Sequence, residues 1–391
     1  MLEKTAIDKI YQYLLIILAF LLPLTVFGAN LIIVIIVLLW LFSGNYLAKY
    51  DLIVNSKIMI ASIIFFLIHL IGLIWTEDLA WGLHIVHKMW YFLLLLPVLY
   101  TVVKQEHIRY YIFSFLLAIF LTEILSYLIW FEIIAPFKNA NIFDPTPFMT
   151  HVSFNPILAF AIYLVLNEVL FNKKLNRYQL VLLILFAIAM SFNMFLTLGR
   201  AGQLGFFFVI ALLIFQYIKY QKIKSLLVIC LVIPSIFILA YQASPYFQLR
   251  IDSTINALSN GDPRLTFAIN SWEIIKENMF LGVGTGDFPV EYKKINSIKS
   301  PNSPNATNPH NMYVLVAAQL GLLGLMSMFS IFYQQLLFAW KSKNELMKNI
   351  GIALPTLFLV LMLGDSYLLG HYTSLLFVFF SSFIYRDFEK N

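Results

Sequence analysis

Three basic side chains stand where a mostly apolar chain offers few polar groups: Arg200 in LGRAGQLG, Arg264 in DPRLTF and His310 in NPHNMYVL. A guanidinium fork matches phosphate oxygens, and an imidazole that accepts a proton can activate a hydroxyl. Arg200 falls between two apolar runs with almost no loop, a costly place for a charge unless it is paired or set in a wet cavity. Arg264 falls in the first turn of an expected helix, against the dipole, which makes sense if the arginine and that turn's amides share an anion. His310 is read at the mouth of an apolar helix, where the positive helix end favours an uncharged ring, with Pro309 helping to start that helix.

Each has a plainer reading: a snorkelling Arg200, an Arg264 paired with Asp262 or Asp287, a His310 bonded to Asn308 or water. Arg250 is a weaker anion contact of the same kind or a solvated side chain. Lys88 shares a helix face with His84 and His87 and either meets an anionic substrate or snorkels. A metal site there would need a further ligand, so no metal or other cofactor is expected. His151, Asp365 and His371, at helix ends of the same side, are read as structural. Glu123, inside a span, is either a proton relay or a group bonded to a neighbouring helix.

The elements that must position these groups follow from composition. Of 391 residues, 61% are hydrophobic and 12% charged, with a mean hydropathy of +0.84, against about a quarter charged in soluble domains. The chain is therefore read as an all-α polytopic membrane protein, 1–391 forming one integral membrane domain. A span needs about 20 apolar residues, and about twelve runs qualify: 11–27, 29–42, 56–75, 84–103, 108–134, 151–171, 178–198, 202–220, 223–241, 311–338, 347–363 and 366–385. The first run shows no small-residue cleavage site and is kept as structure. Cys230 is the single cysteine, which excludes an intrachain disulfide. With both termini inside, one face collects seventeen Lys and Arg, while the short loops of the other hold Lys88, Lys138 and Arg200. That asymmetry makes the first face cytoplasmic.

The exception to short connections is a long extracytoplasmic (periplasmic) loop, 242–310. It contains an amphipathic helix near 263–280, capped by Asp262 with Pro263 at its first position. Leu265, Ala268, Ile269, Trp272, Ile275 and Met279 recur at helical spacing, so this helix lies on the membrane surface or packs over the spans. Gly282, Gly284 and Gly286 then free the backbone to turn tightly or to approach a ligand.

LGRAGQLG, RLTFAINSWEIIKENMFLGVGTGDF and NPHNMYVLVAAQLGLLGL, in that order, resemble the O-antigen ligase family of bacterial membrane glycosyltransferases. Its relatives include O-antigen polymerases and some protein oligosaccharyltransferases. The resemblance implies a GT-C type membrane fold in the bacterial inner membrane, with an active site facing the periplasm. It implies metal-independent transfer of an O-antigen or related glycan from undecaprenyl diphosphate to the lipid A core, completing lipopolysaccharide. Arg200, with Leu204 in place, matches the family's R-x-x-x-L arginine, Arg264 its loop arginine, and His310 the histidine of its H-N-x-x-L-type pattern, although here the leucine of that pattern is displaced. Polymerisation of glycan repeats or transfer to protein remains open within the family. A polysaccharide or lipid transporter is the alternative outside it, and would show inverted repeats with paired broken helices.

Overall fold

Helices account for nearly all of the regular structure. The computed structural model describes residues 4–138, 140–219, 221–260 and 263–388. In chain order the α-helices are α1 (Lys4–Leu21), α2 (Val26–Phe42), α3 (Tyr46–Val54), α4 (Lys57–Ile71), α5 (Leu79–Lys88), α6 (Leu96–Val102), α7 (Ile108–Trp130), α8 (His151–Phe171) and α9 (Arg177–Leu196). There follow α10 (Arg200–Tyr217), α11 (Lys222–Ala243), α12 (Pro245–Asn260), α13 (Pro263–Glu277), α14 (Phe288–Lys299), α15 (Met312–Lys341), α16 (Glu345–Leu361) and α17 (His371–Ile384). Among the described residues the only extended pairing is an isolated bridge, Asn141 with Asp144.

Polar side chains set the helix starts where the sequence places them. Ser56, Asp78, Asn311 and Asn344 each accept from a first-turn amide, and Asn176 with Gln179 forms a reciprocal capping box. Eight helical stretches among the described residues are long and apolar enough to cross a membrane, or up to nine if α2 and α3, bent by 115°, count as one. The protein is thus an all-α, multi-pass membrane protein. The other runs among the twelve are helical but fall short. α1 carries Lys4, Asp8 and Lys9, α16 has 17 residues, and α17 has 14, the last rising only ~21 Å against a ~30 Å hydrocarbon core.

α17 compensates for its length by burial. A helix apolar on all sides belongs inside a bundle, and Leu375 to Phe380 are fully buried. Phe380 meets Phe115 and Phe160 edge-on at 5.2 and 4.8 Å, while Phe377 packs on Phe358 at 4.8 Å. Because lipid tails are as apolar as these rings, close packing rather than escape from water holds this pillar.

The connection between α11 and α15 carries three helices, α12 to α14, followed by an irregular stretch over 300–311 that leads into α15. Its glycine-rich segment docks on the chain itself. α15 breaks at Gly321 (φ 58°, ψ −153°), and the amides beyond the break, Leu322 and Leu323, donate to the carbonyls of Met279 and Phe280 at 2.8 and 3.3 Å. In return Val283 and Gly284 donate to Ala318 and Gln319 at 2.9 and 3.0 Å. A Cβ on Gly282 would lie 2.2 Å from the Gln319 carbonyl carbon, and one on Gly286 2.4 Å from the Gly82 nitrogen. The glycines therefore serve a backbone-to-backbone approach. Buried Asp287 locks the far side, accepting from Thr76 Oγ1 and from the amides of Glu77 and Asp78 at 2.7 to 2.8 Å.

α13 turns a different face inward from the one its apolar spacing predicts. Asn270, Ser271 and Ile274 are buried, and Asn270 Nδ2 donates to Asn296 Oδ1 of α14 at 3.1 Å. Leu265, Ala268, Ile269, Trp272 and Met279 are exposed. The polar face is satisfied internally, and Phe267, Ile274 and Ile275 cluster with Leu315 and Ala318 of α15, so α13 packs over a span while the rest of its apolar stripe faces outward. Lys276 and Lys299 both bond Glu273, linking α13 to α14 and holding that carboxyl below its ordinary range.

Candidate functional site

His310 is positioned by a turn rather than by a helix. Asn311 caps α15, its side chain accepting from the amides of Tyr313 and Val314 at 3.0 and 3.1 Å, and the helix begins at Met312. His310 thus precedes the cap, in a left-handed conformation (φ 53°) uncommon for a residue with a Cβ. Its amide donates to Asn308 Oδ1 at 2.9 Å, which secures the turn. The expected helix-mouth setting, with Pro309 starting the helix, is corrected by this geometry: the first-turn amides are taken by Asn311, and the charged group the ring meets is a carboxylate.

That carboxylate is Asp365, between α16 and α17, with Oδ2 3.4 Å from His310 Nδ1. Its Oδ1 accepts from the Ser366 amide at 2.7 Å and from Asn308 Nδ2 at 3.5 Å. Ser366 Oγ donates to Asn308 Oδ1 at 3.0 Å, so Asn308 ties both partners together. An ionised carboxylate only accepts, so Nδ1 donates to it and Nε2 remains to take a proton. The ring is part-exposed and faces Phe267 of α13, centroids 6.5 Å apart at 27°. Sequence reasoning set Asp365 aside as structural, for it lies 55 residues from the histidine it orients.

Arg200 opens α10 at the same end of the bundle. Ala201 lies against Gly364: a Cβ built on that glycine would sit 2.9 Å from the Ala201 Cβ. Arg200 and Asp365 are each one residue from this contact. Arg200 Nη2 also donates to Ser253 Oγ of α12 at 3.2 Å. The turn before it is fixed by buried polar groups. Thr197 Oγ1 donates to Asn155 Oδ1 at 2.7 Å, Asn155 Nδ2 to the Gly199 carbonyl at 3.2 Å, and the Leu198 amide to Asp144 Oδ1 at 3.3 Å. The other oxygen of Asp144 holds His151 Nδ1 at 2.7 Å. Gly199 and Gly202 are required here because a Cβ on either would meet Asn155 at 2.6 Å or less.

Arg264 occupies the first turn of α13, three residues before Phe267, and Arg250 lies on α12, three residues before Ser253. Their side chains, like residue Asp262, lie outside the described residues. Lys88 ends α5 and lines a cavity of about 320 Å³ together with Trp81, Ser153, Asn308, Asp365 and Ser366. The structure thereby brings Lys88, the His310 partners and the start of α10 to one end of the molecule. Glu123 is buried in α7 and takes no part in this site. Among the described residues no three His, Cys, Asp or Glu side chains are grouped to hold a metal ion.

Fold and site together define a polytopic helical membrane protein with a histidine–carboxylate pair and an arginine gathered at one end of the bundle. Residues 185–329 match the family described as O-Antigen ligase. The matched stretch is an O-antigen ligase domain, and the resemblance carried by the motifs holds over it. It includes Arg200, Arg250, Arg264 and His310, while Lys88, Asp144, His151 and Asp365 lie outside it. No curated protein matches the chain. The match supports a relation to the O-antigen ligase and polymerase type of protein over that stretch.

Proposed function

We propose that the protein transfers an O-antigen or related glycan from undecaprenyl diphosphate to the lipid A core oligosaccharide, in the bacterial inner membrane at its periplasmic face. The observation that carries this reading is the His310–Asp365 contact beside the start of α10. An acceptor hydroxyl gives its proton to His310 Nε2 as its oxygen attacks the anomeric carbon, and Asp365 holds the ring in the tautomer that permits this. The bond from that carbon to the diphosphate oxygen breaks, and the departing charge is met by Arg200 and Arg264, with Arg250 and Lys88 as further contacts. Direct displacement inverts the anomeric centre without a sugar–enzyme bond. No step calls for a metal or other cofactor.

A transporter would use a broken helix to bind its cargo. The break in α15 is instead filled by residues 279–284 of the same chain. Ligase and polymerase share this donor chemistry and differ in acceptor, so the deciding experiment is the lipid profile of a deletion strain. Polymeric glycan stranded on the lipid carrier is expected. Single repeats on the core would mean a missing polymerase, and unchanged lipopolysaccharide in a strain that makes O-antigen would overturn transfer to the core.

A further inference from the structure

At the far end of α10 from Arg200, a groove of about 700 Å³ runs between α8, α10 and α11. Leu170 of α8, Ile210 and Ile214 of α10, and Val228 and Val232 of α11 line it, and Lys224 and Lys219 stand at its mouth. Lys224, Val228 and Val232 are spaced four apart, as are Ile210 and Ile214, so each helix gives the groove one continuous stripe. α11 packs chiefly on α10 and is only 11% buried along its apolar window, which opens the groove to lipid. Below its mouth the trough is lined mostly by apolar side chains, which hold water poorly and suit hydrocarbon.

The mouth selects the head that belongs to that hydrocarbon. Lys219 pairs with Glu345, while Lys222 and Lys224 occupy the first turn of α11, which holds no acidic residue. A positive helix end and an excess of lysines over the one carboxylate make this mouth an anion seat. From Lys224 to Val232 the groove descends ~12 Å at 1.5 Å per residue, which keeps it within one leaflet of a ~30 Å core. Arg200 lies ten residues, ~15 Å, beyond Ile210 and outside it. We propose that the groove binds an acidic phospholipid of the leaflet on the lysine-rich side, its head group at Lys224 and one acyl chain between α10 and α11. This site is separate from the glycan-transfer site and does not depend on that reading.

Native mass spectrometry of the full-length protein, released from detergent after incubation with phosphatidylglycerol or phosphatidylethanolamine, tests it. Phosphatidylglycerol should survive delipidation and phosphatidylethanolamine should not. One lysine near an anionic surface is worth about fivefold in affinity, so Lys224→Gln should lower phosphatidylglycerol retention by about that factor and Lys224→Glu by more. Val228→Trp should abolish retention with the lysines intact, and thermal unfolding of each variant checks that the bundle persists. Equal retention of the two lipids, wild-type retention by the Lys224 variants, or selective retention of a polyprenyl phosphate would each overturn the proposal.

Discussion

Among the described residues two histidine–aspartate pairs occur, and they differ in setting. His151 and Asp144 meet at 2.7 Å with the carboxylate 9% exposed, whereas His310 and Asp365 meet at 3.4 Å with side chains 42% and 24% exposed. The first pair is built into the polar network under the α9–α10 turn: Asp144 spends one oxygen on a backbone amide and the other on the ring. The second joins two loops, is anchored through Asn308, and its histidine has a strained backbone. Identical groups therefore sit in different settings: the enclosed pair fixes where Arg200 emerges, and the open pair is the one to which we assign the proposed proton transfer.

The comparison can be broken most decisively at His310. His310→Ala is expected to lower transfer by about 10²- to 10⁴-fold, the usual worth of a positioned base, read from lipopolysaccharide gels of a strain lacking the native protein. A full glycan ladder from the variant would remove the base from the reaction. Asp365→Asn should follow, with turnover down by about ten- to a hundredfold, little change in acceptor KM, and a displaced pH–rate profile, because the orienting charge is lost while the ring stays. An unaltered profile would return Asp365 to a structural role. Asp144→Asn should have the smallest effect on turnover per folded molecule. Its principal effect is a loss of about 1–3 kcal/mol in stability from an imperfectly satisfied buried site, visible as earlier thermal unfolding. A catalytic defect as deep as that of Asp365→Asn, without destabilisation, would erase the distinction between the pairs.

Local chemistry made much of the architecture legible beforehand. Apolar runs located the spanning helices, since a chain in lipid must satisfy its backbone within each helix. The order of LGRAGQLG, the tryptophan helix and NPHN pointed to the family whose domain matches 185–329. The glycines of LGVGTGDF announced a tight approach, but not that its partner would be the break at Gly321, since Gly282 and Gly321 meet through backbone groups that carry no sequence signature.

For α13, spacing identified the stripe from Leu265 to Met279 and packing then turned it outward, because Asn270 found its partner on α14. Asp365 and Asp144 were beyond sequence reasoning for a similar reason. An aspartate looks the same in sequence whether it faces solvent or a histidine 55 residues away. By itself the sequence determined the helices, the membrane class and the residue types able to handle a diphosphate and a hydroxyl. Only the tertiary structure decided which carboxylate orients His310, which one braces Arg200 and which face of α13 packs inward, because those outcomes depend on which distant segments become neighbours.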